Sequence, residues 1–540
     1  MSDTEIAQRS ARGSFALFVG NLLNALIGAV VVIAIARLLG PDEYGAYTLV
    51  ILIPNILLNF VGLGVNSGIT RYAAYHLARK EPDAARRITI NGLVFLSTFG
   101  VLLAAVCYAG AGLFSTFVLD RPELVGLVQF ASLLLLAQVL FGSVMSALLG
   151  WSYMGQMSVT YVIHASLRVV LAVGLVIAGF GVAGAIAGYA GSLTVASVSM
   201  AALLWIRMKR SCAVDPGAAG EAKGDAPVRP ASSLFISDVR TMLAFGLPLF
   251  VGQIALSLSA QFVVALLASV SSNTYVGFYQ SAVNVTVAIS LSSSAISQTL
   301  FPAFAHIEGR RGDAGLAFRY AAKYMGFVLV PIIFLLMAAA SNIIGVLYPA
   351  SYSPASPYLV LLSFSNIAFL LGYGAIPSFF NGTGRPRLFM ACSFAAGGAQ
   401  FVLAPLLGVY AGLGIPGLIY SVLAANLVGA ITGLLLAARY LNAGIDVRGA
   451  LSVLASSLCS YVAVLALQGA AAGSGDVAVL LVDIVVFSLV YLTVAPLARA
   501  IRPDDVRRLK VAIVGLGIFS NVIGPILAYE TLILRIARVS

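Results

Sequence analysis

An all-α integral membrane fold is what this 540-residue sequence predicts, and three observations carry that expectation. First, 60% of the residues are hydrophobic and only 9% are charged, with a mean hydropathy of +1.01; soluble domains carry about 25% charged residues. Second, uncharged runs of about 20 residues recur along the chain, and at ~1.5 Å rise per residue each can cross ~30 Å of hydrocarbon. Third, the lysines and arginines gather on one side of the alternation of runs and loops, as the positive-inside rule requires.

Fourteen spans follow in order. Span 1, near 14–36, opens after the polar start MSDTEIAQRSARGS and is long enough to stay as a span, so no cleaved signal peptide is expected. Spans 2 to 6 lie near 46–68, 88–114, 124–149, 158–180 and 182–205. The stretch MKRSCAVDPGAAGEAKGDAPVRPASS then reads as a flexible cytoplasmic linker within 206–240. Spans 7 to 12 lie near 241–268, 275–301, 320–347, 357–381, 388–411 and 415–438, and spans 13 and 14 near 450–472 and 476–498. Pro54, Pro248, Pro331, Pro377 and Pro405 fall inside spans, as is common where neighbouring helices satisfy freed backbone groups. The tail, 499–540, holds one more apolar stretch, VAIVGLGIFSNVIGPILA (511–528). A fifteenth crossing there would carry Arg535 and Arg538 outside, so this stretch is expected to lie on the inner membrane surface or to pack on the protein.

With both termini in the cytoplasm, 28 of the 31 lysines and arginines fall in cytoplasmic segments. Only Arg37 and Arg121 fall outside, and Arg168 alone lies within a span. The membrane accounts for the net charge of +11, and no nucleic-acid partner is needed to explain it. The four cysteines and three histidines show no metal or redox spacing, so no metal, disulfide or cofactor is expected.

The chain also repeats itself. At an offset of 232 residues, Leu17-Phe18-Val19-Gly20 falls on Leu249-Phe250-Val251-Gly252, Asn21 on Gln253, Gly45 on Gly277 and Tyr47 on Tyr279. Each half holds six spans and starts in the cytoplasm, so the repeats run parallel, with 1–205 as the first lobe and 241–438 as the second. Spans 13 and 14 (439–498) stand outside the repeat as a C-terminal pair.

ARLLGPDEYGAYTLVI (36–51), followed by GLGVNSGITRYAAYHLARKEPDAARR (62–87), resembles the opening of polysaccharide exporters and oligosaccharide-lipid flippases. These belong to the multidrug/oligosaccharidyl-lipid/polysaccharide exporter superfamily. The resemblance continues through NTYVGFYQSAVNV (273–285), SQTLFPAFAHIEG (297–309) and FFNGTGRPRLFM (379–390). It implies fourteen helices in two six-helix lobes around a central cavity. It also implies outward flipping of an isoprenoid-diphosphate-linked sugar by alternating access.

Charge inside the membrane narrows the cargo. Of the 20 acidic residues only Asp483, in span 14, lies within the membrane, whereas cation-coupled drug exporters of the same superfamily hold carboxylates in their lobes. The lobes instead contain one cation. Arg168 lies roughly 15 Å along span 5 and His164 roughly 9 Å, on one helical face with Tyr161. An arginine at that depth costs about 2.5–3.5 kcal/mol and needs a partner or a cavity. Two roles fit it. It can offer its planar fork to a diphosphate, or it can lock helices together through carbonyls or amides such as Gln129 and Gln138.

His164 is open in the same way, as ligand or as structural histidine. Arg71, at the cytoplasmic mouth, fits either headgroup capture or ordinary anchoring, and Asn21, Asn24 and Gln253 fit either a cavity lining or interhelical hydrogen bonds. An enzyme is disfavoured because the outer loops are short and the cytoplasmic loops hold no paired carboxylates within a folded domain. The expected partners are the membrane and a lipid-linked sugar, with a single copy sufficing. A peptidoglycan-precursor flippase and a cation-coupled multidrug antiporter are the alternatives.

Overall fold

Apolar segments in series, punctuated by glycine and proline, form helices throughout: among the described residues the computed structural model contains no strand. It describes residues 3–213, 231–309, 312–468, 475–501, 503, 505, 529–531 and 533. The apolar stretch 511–528 and linker residues 214–230 lie outside the described residues. Ten segments are long and apolar enough to cross a membrane. They overlap the expected spans 1–6 and 9–14, with Leu23–Leu58 and Met154–Lys209 each overlapping two. Expected spans 7 and 8 fall on the helices Ala231–Val270 and Asn273–Gly309. Span 2 is not one rod: after Leu58 it passes through a 3₁₀ turn, Val61–Gly64, and resumes as the helix Val65–Ala78.

The chain divides into two compact units, 1–277 and 278–540. In the first, Ala231–Val270 packs on Val65–Ala78, on Pro82–Ala109 and on the first long helix, Asp3–Leu58. Two backbone approaches need glycine. A Cβ on Gly64 or on Gly246 would sit 2.2 Å from the other's carbonyl oxygen. A Cβ on Gly45 would lie 1.8 Å from the Asn273 carbonyl oxygen, and one on Gly277 would lie 2.0 Å from that of Pro41. Beside them Thr274 Oγ1 donates to Asp42 Oδ1 at 3.0 Å, across 232 residues of sequence. That separation is the offset at which the sequence repeats. The approach is reciprocal, each glycine against the residue four before the other.

The second unit is built on Ala314–Ala338, whose Phe318, Met325, Leu329 and Ile333 are fully buried. Phe379 lies against Phe304 (5.1 Å) and Phe318 (4.6 Å). In hydrocarbon such contacts gain from close packing more than from leaving water. Val447–Gln468 and Asp476–Leu497 pack on each other and on this helix. Asp483 is buried between them, and its Oδ2 accepts from Asn342 Nδ2 (2.6 Å) and Gln468 Nε2 (2.7 Å). The intramembrane acid is thus held by amides from two other helices and ties the C-terminal pair to its unit.

Part of the tail returns to this unit. Asp505 is buried against Lys323 and accepts from the Tyr324 hydroxyl at 3.0 Å, and the Tyr529 and Thr493 hydroxyls lie 2.9 Å apart. Glu530 is fully buried with neither carboxyl oxygen hydrogen-bonded, and burial pushes its pKa from 4.5 up to about 7. An acid raised in the folded state holds its proton more tightly there than when released. Docking of residues 529–531 is therefore expected to be strongest below about pH 4.5, to weaken as pH rises to about 7 and to level off above it. Limited proteolysis of the tail across that range checks this, with Glu530→Gln expected to abolish the dependence. A flat wild-type profile would count against it.

Candidate functional site

Arg168 ends the helix Met154–Arg168, and the chain continues as a π-helical turn, Val169–Val173. Such turns widen a helix locally and are frequent at functional sites. This one packs on the helix Gly181–Ala213, which brings Tyr189 to Arg168. The guanidinium carbon sits 3.9 Å from the Tyr189 ring centroid, a cation–π contact worth about 2 kcal/mol when desolvated. Tyr44 and Tyr47 complete its surroundings, both buried and stacked on each other at 6.1 Å. Arg168 Nε is buried without a hydrogen-bond partner among the described residues, and the Tyr47 hydroxyl lies against the guanidinium. Among the described residues no carboxylate pairs with Arg168; three tyrosines surround it instead.

His164, one turn earlier, shares that tyrosine. Its ring lies 6.0 Å from Tyr189 and 5.3 Å from Phe141, and its Nδ1 is 3.2 Å from Ser192 Oγ. Ser192 Oγ also lies 2.8 Å from the Tyr189 carbonyl oxygen, tying the histidine and the tyrosine to one hydroxyl. Tyr161 meets Phe141 edge-on at 6.0 Å. Gln138, an amide that the sequence offers to Arg168, donates instead to Asn55 Oδ1 at 3.2 Å.

The structure brings Arg168 and His164 together on Tyr189. Arg71 is exposed on Val65–Ala78, its guanidinium carbon 4.1 Å from the Phe245 ring centroid and 5.6 Å from that of Tyr72. Asn21 is exposed and Asn24 half-buried on the first long helix. Gln253 lies in Ala231–Val270, with its side chain outside the described residues. The tyrosines were missed. Tyr47 carried a signal, its repeat match with Tyr279, but Tyr189 is a lone aromatic in an apolar run and carried none. No group of His, Cys, Asp and Glu among the described residues is arranged to hold a metal ion.

A family model described as polysaccharide biosynthesis protein matches residues 10–308. The chain belongs to that family. All six candidate residues lie within the matched region of this polysaccharide biosynthesis family member. No curated protein matches the chain. Its fold is similar to that of a lipid II flippase, MurJ, in an inward closed conformation: 13% identity, 89% of this chain and 98% of that chain, TM-score 0.70. An inward-facing multidrug resistance MATE family transporter of the MOP superfamily is similar over 78% of this chain and 94% of its own, at 20% identity and TM-score 0.62. A MOP superfamily transporter from Pyrococcus furiosus is similar over 80% and 95%, at 19% identity and TM-score 0.56. At these identities the likeness is one of fold. The family member is a multi-pass membrane protein with the fold of MOP superfamily transporters.

Proposed function

We propose that this protein flips an isoprenoid-diphosphate-linked oligosaccharide from the cytoplasmic to the outer leaflet by alternating access, in the synthesis of surface polysaccharide or glycoprotein. On this reading fourteen spans form two parallel six-helix lobes (1–205 and 241–438) around a central cavity, joined by the 206–240 linker. Spans 13 and 14 (439–498) flank them, and both termini are cytoplasmic.

Arg168 carries the reading. A membrane-embedded guanidinium with no carboxylate partner among the described residues, ringed by tyrosines and with its Nε unsatisfied, is chemically suited to a phosphate oxygen. His164 sits beside it, and Arg71 at the inner mouth is suited to first capture of the headgroup. Asn21, Asn24 and Gln253 would serve the sugar. In an inside-negative cell, outward movement of a negative charge is favoured by about 2.3 kcal/mol per 100 mV, so flipping needs no lobe carboxylate to couple a cation.

Reconstitution into liposomes with a fluorescent isoprenoid-diphosphate sugar tests this. Protein-dependent flipping that accelerates under an imposed potential is expected. Proton-coupled dye efflux without lipid flipping would overturn the proposal in favour of an antiporter. Peptidoglycan precursor is the second cargo to try, since the fold is shared with a lipid II flippase.

A further inference from the structure

At the cytoplasmic end of the first unit two cations share one indole. The Arg86 guanidinium carbon is 5.2 Å from the Trp205 ring centroid and the Lys209 Nζ is 5.4 Å from it. Arg86 lies on Pro82–Ala109 and the other two on Gly181–Ala213, helices that touch. Like charges gathered on one ring repel unless an anion lies near them. Among the described residues neither cation has one. Asp83, three residues before Arg86, is exposed and makes no ion pair with it, Glu81 is engaged by His76 and Arg79, and Asp238 by Arg87 and Asn91. Arg86 Nε is moreover buried with no hydrogen-bond partner.

The surface around this pair has the profile of a lipid. Val198, Trp205 and Lys209 follow one another at spacings of seven and four along a single helix face. Val198 is 60% exposed and Trp205 43%. Over the roughly 16 Å from Val198 to Lys209 the face passes from aliphatic to aromatic to cationic. That order matches acyl chain, interface and headgroup, where tryptophan is enriched.

We propose that Arg86, Trp205 and Lys209 form a binding site for one anionic phospholipid of the inner leaflet, its phosphate between the two cations and its acyl chains along the Val198 face. The site is separate from the Arg168 cluster and holds a resident lipid rather than cargo.

Native mass spectrometry of the full protein, purified with equal phosphatidylglycerol and phosphatidylcholine, tests the site. Phosphatidylglycerol should be retained preferentially, and the Arg86→Gln/Lys209→Gln double variant should lower that retention about 10- to 30-fold. The charge-conserving Arg86→Lys/Lys209→Arg variant should keep retention close to wild type, which separates charge from packing. Equal retention by wild type and the neutral variant would overturn the proposal, as would equal loss in both variants. Trp205 emission, read as the difference between wild type and Trp205→Phe, should shift with phosphatidylglycerol. An equal shift with inorganic phosphate would make the site a free-anion site and overturn the lipid assignment.

Discussion

Arg168→Ala is expected to lower the protein-dependent rate of lipid-linked sugar flipping about 10- to 100-fold, the loss of one or two charge-assisted hydrogen bonds to a phosphate. Arg168→Lys should recover only part of it, because an ammonium keeps the charge and loses both the planar fork and the stacking on Tyr189. A mutant can also fail because the helices shift, since Arg168 holds Tyr189 and lies against Tyr44 and Tyr47. Arg168→Met separates the two roles. It fills similar space without charge, so a phosphate contact predicts a rate as low as that of the alanine variant. Near-wild-type flipping by the methionine variant would reduce Arg168 to a structural residue.

Gly45→Val should remove the contact between residues 41–45 and 273–277. Even the first added carbon would lie 1.8 Å from the Asn273 carbonyl oxygen, and backbone atoms cannot rotate away as a side chain can. Overpacking typically costs about 1–3 kcal/mol, and here separation of the two segments is the available relief. The measurement is a cysteine pair, Asp42→Cys with Thr274→Cys, at positions whose native side chains are hydrogen-bonded at 3.0 Å. Efficient oxidative cross-linking is expected in the otherwise native chain and little of it with Gly45→Val. Gly28→Ala, where an added carbon meets nothing within 4 Å, is the neutral control. Undiminished cross-linking in the valine variant would show that the segments accommodate the side chain.

Much of this architecture is legible in hydropathy because a span has only one physical requirement, a long enough apolar run. What lies inside a run is less visible. Hydropathy does not distinguish an α turn from the π turn after Arg168, since both bury the same side chains. Nor does it mark where span 2 breaks: glycines at 62, 64 and 68 signal a weak point, but the approach of Gly246 is a tertiary fact. Arg168 and Asp483 stood out for the same reason, a charge where charge is costly. Their partners did not. Asn342 is 141 residues from Asp483, and the tyrosines around Arg168 look like any other aromatics of an apolar span. The contact between Asp42 and Thr274, 232 residues apart, is likewise invisible to hydropathy.

One turn of helix carries two of these features. Gly45 makes the backbone contact with the 273–277 segment, while Tyr44 and Tyr47 on either side of it surround Arg168. An occupant of Arg168 that moves these tyrosines must alter the fit at Gly45, and loosening that fit must alter the affinity of Arg168 for its occupant. Thermodynamic reciprocity makes the two effects equal in free energy, typically about 1–3 kcal/mol in coupled sites. Occupancy of Arg168 and the fit at Gly45 would then be one equilibrium read at two places, with no relay of intervening residues needed to connect them.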